Sequence, residues 1–137
     1  MPNEMGAPQK RLLIMPKKNA CCGDGANTLI LACSGASNVG QISNSVMVEM
    51  NKKGLGSAYC LAGLGAGLPS FVENLKATKV ILIDGCPVAC GKVTLEKYGI
   101  EPKEHYVITE LGIKKSHSFA DLEAETNKAL KQIVKNS

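Results

Sequence analysis

The stretch Lys79-Val-Ile-Leu-Ile-Asp84 decides the fold of this chain. Its central residues are continuously apolar, which is typical of a strand in a parallel sheet that helices cover on both faces. A second stretch of this kind, Thr28-Leu-Ile-Leu-Ala-Cys33, lies upstream. Residues 57–61 and 105–109 have more mixed patterns and predict strands nearer the sheet edges. The sequence therefore predicts a sheet of about four strands.

Helical patterns lie between and after the predicted strands. The first ends at Lys52-Lys53-Gly54, whose cations and glycine suit a helix C-terminus. Pro69 suits the first turn of the second helix. A third is predicted at about residues 91–98, and the last begins at 118–121 with the spacing of a capping box. This alternation predicts a three-layer α/β domain over residues 28–137, Rossmann-like or flavodoxin-like, with a mainly parallel sheet.

Residues 1–27 do not follow this alternation and are interpreted as an N-terminal arm that could add one strand at residues 11–15. The arm carries the neighbouring pair Cys21 and Cys22. Two hypotheses stay open for this pair. One of the two thiols folds back over a metal site as an extra ligand, or the pair is exposed and reducible.

Composition limits the classes of function. The chain has 137 residues, 45% hydrophobic and 20% charged, with a net charge of +4, which indicates one ordinary globular domain. Aromatic residues make up 4%, and Arg11 is the single arginine, so we expect no nucleic-acid partner. No segment reaches the ~20 apolar residues of a membrane span, and no signal peptide is evident. We therefore expect a cytoplasmic protein, in which six cysteines indicate metal or thiol chemistry rather than disulfides.

Four cysteines follow the predicted strands. Cys33, Cys60 and Cys86 come at the ends of three different strands, and Cys90 lies where the third helix should begin. The carboxyl ends of parallel strands share one edge, where such sheets bind their ligands. If residues 86–90 enter a helix, the two thiols four apart face the same way. The sequence predicts a zinc site made of these four thiolates, with Lys92 offsetting part of their charge.

Three functional hypotheses follow, besides the simpler one that some of these cysteines are core residues. In the first, zinc is structural or sensed, and partners respond to it. In the second, the chain is an enzyme on a small molecule, marked by an open fourth zinc position or by Cys90 as the attacking thiol. In the third, the same thiolates hold an iron–sulfur cluster or carry out thiol redox chemistry.

The residues around these cysteines resemble a known family. Asp84-Gly85-Cys86 followed by Cys90, Cys33-Ser-Gly-Ala36 after the first strand and the lone Cys60 are similar to the DGC-domain proteins, which are described as zinc-binding. The resemblance runs from residue 28 to the end and includes residues 108–113. It implies that four cysteines are metal ligands, at positions 33, 60, 86 and 90 of this chain. It implies no reaction.

Two loops resemble anion-binding motifs. Residues 33–40 are similar to the loop of low-molecular-weight phosphatases, in which a cysteine nucleophile begins the loop, but they lack the arginine that clamps the oxyanion. We therefore interpret them as a tight turn. Gly63-Leu-Gly-Ala-Gly67 departs from the dinucleotide pattern G-x-G-x-x-G, and its glycines are expected to let the loop pass close to the metal-site edge.

Four charged or ionisable features near the predicted site remain. Asp84 is expected to accept hydrogen bonds from loop N–H groups, to orient a metal ligand, or to form an Asp-Gly turn. His117 is expected at the cysteine edge, as a ligand, a proton carrier or a solvated side chain. His105 is expected at the opposite edge, without a role. Lys114 and Lys115 are interpreted as solvated charges.

Overall fold

The sheet of this protein is parallel and four-stranded in a computed structural model that describes residues 27–136. Its strands are β1 (Thr28–Ala32), β2 (Ser57–Ala58), β3 (Lys79–Asp84) and β4 (Glu104–Val107). They are ordered β2-β1-β3-β4, and each neighbouring pair is parallel. The chain therefore reverses its direction of sheet growth between β1 and β3, where open α/β sheets bind ligands at the carboxyl ends of their strands. The predicted fold class is confirmed.

Helices follow the strands, and four of the five lie close to where the sequence predicts them. They are α1 (Asn38–Lys52), α2 (Leu61–Gly65), α3 (Pro69–Lys76), α4 (Cys90–Lys97) and α5 (Leu122–Asn136), with a 3₁₀ turn at Ile108–Leu111. Helix α2 was not predicted and occupies the end of a predicted strand and the glycine-rich segment after it. Ser37 is the N-cap of α1, and its hydroxyl accepts a hydrogen bond from the Gly40 amide. Gly54, with φ 78°, follows the C-terminus of this helix. A serine cap and a left-handed glycine are the usual boundaries of a helix.

Two apolar layers lie on opposite faces of the sheet. One face packs against α1 and α5, and the other packs against α2, α3 and α4. On the α1/α5 face the buried side chains include Ile30, Ile81, Ile83, Ile42, Val46 and Ile133. On the α2/α3/α4 face they include Leu31, Leu82, Leu64, Leu75 and Leu95. Alternate residues of β1 and β3 thus enter opposite layers, which is why the central residues of both strands are continuously apolar.

The outer strands are shorter than predicted. Leu61 already begins α2, so β2 keeps only two residues. The buried Ile108 begins the 3₁₀ turn, so β4 stops at Val107. The glycine-rich segment after β2 is also partly helical. A Cβ on Gly63 would lie 2.5 Å from the Phe71 ring, so this glycine lets α3 approach α2 instead of shaping the metal-site edge.

Some predictions fall outside this description. The added strand at residues 11–15 and the pair Cys21–Cys22 lie outside the described residues, and the boundary at residue 27 stays a prediction. Between residues 27 and 136, no helix has the length and apolar character needed to cross a bilayer.

Candidate metal centre

The loops after β1 and β3 touch each other at the start of α1. A Cβ on Gly40 would lie 2.6 Å from the Gly35 nitrogen, and a Cβ on Gly85 would lie 2.9 Å from the Gly40 nitrogen. The amide of Cys33 also donates to the Ile83 carbonyl at 2.9 Å. The two backbone segments that carry Cys33 and Cys86 are therefore in direct contact at the carboxyl edge.

Replacing Gly40 by alanine tests the close approach of Gly35 to the start of α1. The added methyl group would meet the backbone of Gly35, which cannot rotate away as a side chain can. We expect the free energy of unfolding, measured with urea, to fall by about 2 kcal/mol. Gly65→Ala is the matched control, since nothing lies within 4 Å of its Cβ position. If both variants were as stable as the wild type, the loop after β1 would not be packed against the start of α1 as described.

The Cys33 thiol is half-buried within its own loop. Its Sγ accepts a hydrogen bond from the Gly35 amide at 3.3 Å. The Ser43 hydroxyl donates to the Cys33 carbonyl and so ties the end of β1 to α1. The loop is the tight turn that the sequence predicts, and it holds the sulfur atom through a backbone N–H group.

A lysine lies beside the Cys86 thiol. Lys115 Nζ lies 3.6 Å from Cys86 Sγ, which is half-buried against the α1/α5 face. The Lys115 backbone is held by Asn38: this buried amide donates to the Lys114 carbonyl at 2.9 Å and accepts from the Ser116 amide at 2.6 Å. Lys115 is exposed, as its interpretation as a solvated charge implies, but its ammonium also contacts a thiol. The sequence carried no signal for this contact, which depends on the path of a loop.

Lys92, the cation expected beside the thiolates, has carboxylate partners instead. Its ammonium lies 2.8 Å from Glu96 Oε2 and 3.7 Å from Glu101 Oε1. The hydrogen bond with Glu96 is the largest of the effects that raise the pKa of Lys92 above its usual value. The positive charge of Lys92 is therefore balanced by the carboxylates of Glu96 and Glu101. Lys115, in contrast, contacts a thiol directly.

The segment between Cys86 and Cys90 is a turn, not a helix. The Ala89 amide donates to the Cys86 carbonyl at 2.9 Å, and Ala89 has the left-handed conformation, with φ 51° and ψ 52°. A left-handed alanine costs free energy and persists only where its surroundings hold it. Cys90 begins α4 as predicted, but Cys86 lies before the helix. The argument that the two thiols share a helix face is therefore wrong.

Asp84 is buried and anchors the start of α4. The residue is 1% exposed, and its carboxylate accepts hydrogen bonds from the amides of Gly91 at 2.8 Å and Lys92 at 3.2 Å. His105 Nε2 lies 2.8 Å from the same carboxylate. The predicted acceptor role of Asp84 is thus observed. The prediction for His105 is wrong: register pairs it with Leu82, and its side chain reaches the carboxyl end of β3.

An open cleft of about 820 Å³ lies beside the exposed thiol of Cys60. Its wall includes Ser34, which follows Cys33, and Thr94 of α4. The Thr94 hydroxyl donates to the Cys90 carbonyl at 2.7 Å. The cleft is therefore bordered by the segments that carry three of the four cysteines.

The four thiols are free, and they do not form a ready-made ligand set. Among residues 27–136, no three His, Cys, Asp or Glu side chains are arranged so that they could hold a metal ion. The donor chemistry suits zinc, since all-thiolate sets bind it well, but an ion would have to draw the thiolates together. The four-cysteine site at Cys33, Cys60, Cys86 and Cys90 stays a prediction, and His117 is an exposed loop residue.

Comparison with known proteins adds family information. The model of the DGC domain matches residues 29–134. A Pseudomonas aeruginosa (strain PAO1) protein named "Anaerobic and virulence modulator AnvM" is 36% identical over 98 residues, covering 71% of this chain and 74% of that protein. No solved structure matches the chain.

Proposed function

Since the chain belongs to the DGC-domain family, we propose that it is a zinc-binding protein whose ion is held by the thiolates of Cys33, Cys60, Cys86 and Cys90. The observation that carries the proposal is the meeting of their segments at one edge of the sheet. The loops of Cys33 and Cys86 are in backbone contact, and the cleft beside Cys60 reaches the helix that Cys90 begins.

The charges at this edge support thiolate binding of a divalent ion. Four thiolates around one zinc ion leave a net charge of about −2, which is costly unless positive groups lie nearby. Lys115 supplies a full positive charge 3.6 Å from Cys86 Sγ. The Gly35 amide supplies a hydrogen-bond donor to Cys33 Sγ. Bound zinc would supply a cross-link between the loops at this edge.

We propose that zinc is sensed instead of being needed for folding. Two apolar layers cover both faces of the sheet, and a core of this kind does not require a metal to fold. Because no three donors are positioned in advance among the described residues, zinc binding must move the loops at the carboxyl edge. A partner protein can distinguish the zinc-bound form from the zinc-free form by such a change in loop conformation. The AnvM protein is named as a modulator, and we extend only that general role to this chain.

A second candidate is a thiolate-dependent enzyme acting on a small molecule. The contact of Lys115 with Cys86 favours it, because a neighbouring ammonium is one way in which proteins activate a thiol. This contact favours Cys86 over Cys90 as the attacking thiol. The open cleft beside Cys60 offers room for a small molecule at the same edge.

Zinc titration of reduced, metal-free protein tests the proposal. We expect saturation at one equivalent, no visible absorption, and slower amide exchange in residues 33–40 and 85–90. Exchange in β1 and β3 should not change, since the core does not depend on the ion.

Visible absorption in protein as purified would favour the iron–sulfur alternative. Catalytic reaction of a small electrophile with a thiol of the zinc-free protein would favour the enzyme hypothesis. Zinc binding without any change in loop exchange would contradict a sensing role.

Replacing Lys115 by methionine should weaken zinc binding about three- to fivefold. The variant keeps the length of the side chain but removes the charge beside Cys86. The effect is modest because the contact is exposed to solvent and screened by salt. Lys114→Met is the matched control, because Lys114 meets Asn38 only through its backbone carbonyl. Equal zinc affinities of the two variants, measured by chelator competition at low salt, would remove Lys115 from the proposed site.

A further inference from the structure

Helix α4 has no capping side chain of its own. Its N-terminal flanking residue is Ala89, which offers no hydrogen-bond acceptor in its side chain. The first amides of a helix lack partners within the helix, and a preceding Ser, Thr, Asp or Asn usually supplies one. Here Asp84, at the end of β3, accepts from the second and third amides of the helix, those of Gly91 and Lys92.

The approach of Asp84 to this helix depends on a glycine. A Cβ on Gly91 would lie 2.8 Å from Asp84 Oδ1 and 2.7 Å from Leu82 Cδ1. Any larger residue would push the first turn of α4 away from the carboxylate. The arrangement thus fixes the distance between the end of β3 and the helix that begins with Cys90.

His105 supplies the remaining partner of the carboxylate. Its Nε2 lies 2.8 Å from Asp84 Oδ2, the oxygen that also accepts from the Lys92 amide. A carboxylate only accepts hydrogen bonds, so Nε2 carries a proton and donates it. The His105 side chain is 25% exposed whereas that of Asp84 is 1% exposed. His105 therefore orients a buried carboxylate from the neighbouring strand β4.

We infer that Asp84 and His105 are a positioning pair: together they hold the first turn of α4, and with it Cys90, at the edge of the sheet. The consequence for zinc affinity rests on the proposed function, whereas the consequence for the helix does not. Residues that orient metal ligands through hydrogen bonds typically change metal affinity ~10- to 100-fold when they are lost. His105 is remote in sequence from all four cysteines, yet it is expected to affect the ion through Asp84 and α4.

Two substitutions at His105 in the full chain separate positioning from packing. His105→Ala removes the donor, whereas His105→Gln keeps an N–H donor of similar reach. In metal-free protein, His105→Ala should speed exchange of the Gly91 and Lys92 amides about tenfold and leave the Leu82 amide in β3 unchanged. Zinc affinity, measured by chelator competition, should fall about tenfold or more. His105→Gln should restore both quantities to near the wild-type values.

Each contrary outcome is distinct. Unchanged exchange at Gly91 and Lys92 in His105→Ala would overturn the pair, whether or not the protein binds zinc. Faster exchange of the Gly91 and Lys92 amides without any change in zinc affinity would overturn the link between the Asp84–His105 pair and Cys90. A wild-type protein that binds no zinc would defeat the proposed function and the zinc consequence, and the exchange rates would still decide whether the pair holds the helix.

Discussion

Cys86→Ser is expected to weaken zinc binding about 100-fold. Cys86 is the proposed ligand that has a cation beside its sulfur, and its loop touches the loop of Cys33. Serine keeps the size of the side chain but replaces a thiolate with a poor zinc ligand. Structural zinc sites bind with roughly 12 kcal/mol, so loss of one ligand in four removes about 3 kcal/mol. That loss is about a 100-fold change in the dissociation constant.

The control for this experiment is Val88→Ser in the same turn. Val88 is 64% exposed and carries no donor for zinc, so its replacement should change affinity less than twofold. Both variants are compared in a chelator competition under reducing conditions. Equal affinity of Cys86→Ser and the wild type would exclude Cys86 as a ligand. If Val88→Ser lost as much affinity, the effect would belong to the turn and not to the thiol.

Asp84→Ala is expected to lower the free energy of unfolding by about 3 kcal/mol. The substitution leaves the buried Gly91 amide without an acceptor and removes the partners of the Lys92 amide and His105 Nε2. A buried donor that loses its acceptor costs ~1–3 kcal/mol, and the partly exposed groups cost less because water can reach them. Urea unfolding of metal-free protein measures this loss without any contribution from zinc.

Glu73→Ala is the comparison variant for this measurement. Glu73 is an exposed acidic residue of α3, and its replacement should change stability by less than about 0.5 kcal/mol. A similar small change for Asp84→Ala would mean that the carboxylate does not carry the hydrogen bonds described here. Zinc binding by Asp84→Ala as tight as that of the wild type would argue against any positioning of Cys90 by this residue.

The fold was predictable because its central strands are buried on both faces. The apolar stretch at Lys79–Asp84 matches β3 over its full length, and the other buried strand differs only at Cys33. Outer strands were harder to predict. Their ends depend on where the next helix or turn begins. Leu61 could extend β2 or start α2; in the structure it starts α2, whose Gly63 lies close to the Phe71 ring of α3.

The surroundings of the cysteines were less predictable than their positions along the chain. Each of the four follows a strand or begins a helix, as strand–helix alternation indicates. The partners Lys115 and His105 depend on loop path and strand register, which one sequence does not reveal. Composition offered no help either, since the chain contains 16 basic residues and any of them could have been the neighbour of a thiol.

The metal content of wild-type protein, purified without oxygen and in the presence of reductant, tests the central claim most directly. Elemental analysis should find close to one zinc per chain in a colourless preparation, and Cys86→Ser purified in parallel should have lost most of it. Wild-type protein that carries no zinc, and takes up none when zinc is added back, would contradict the account.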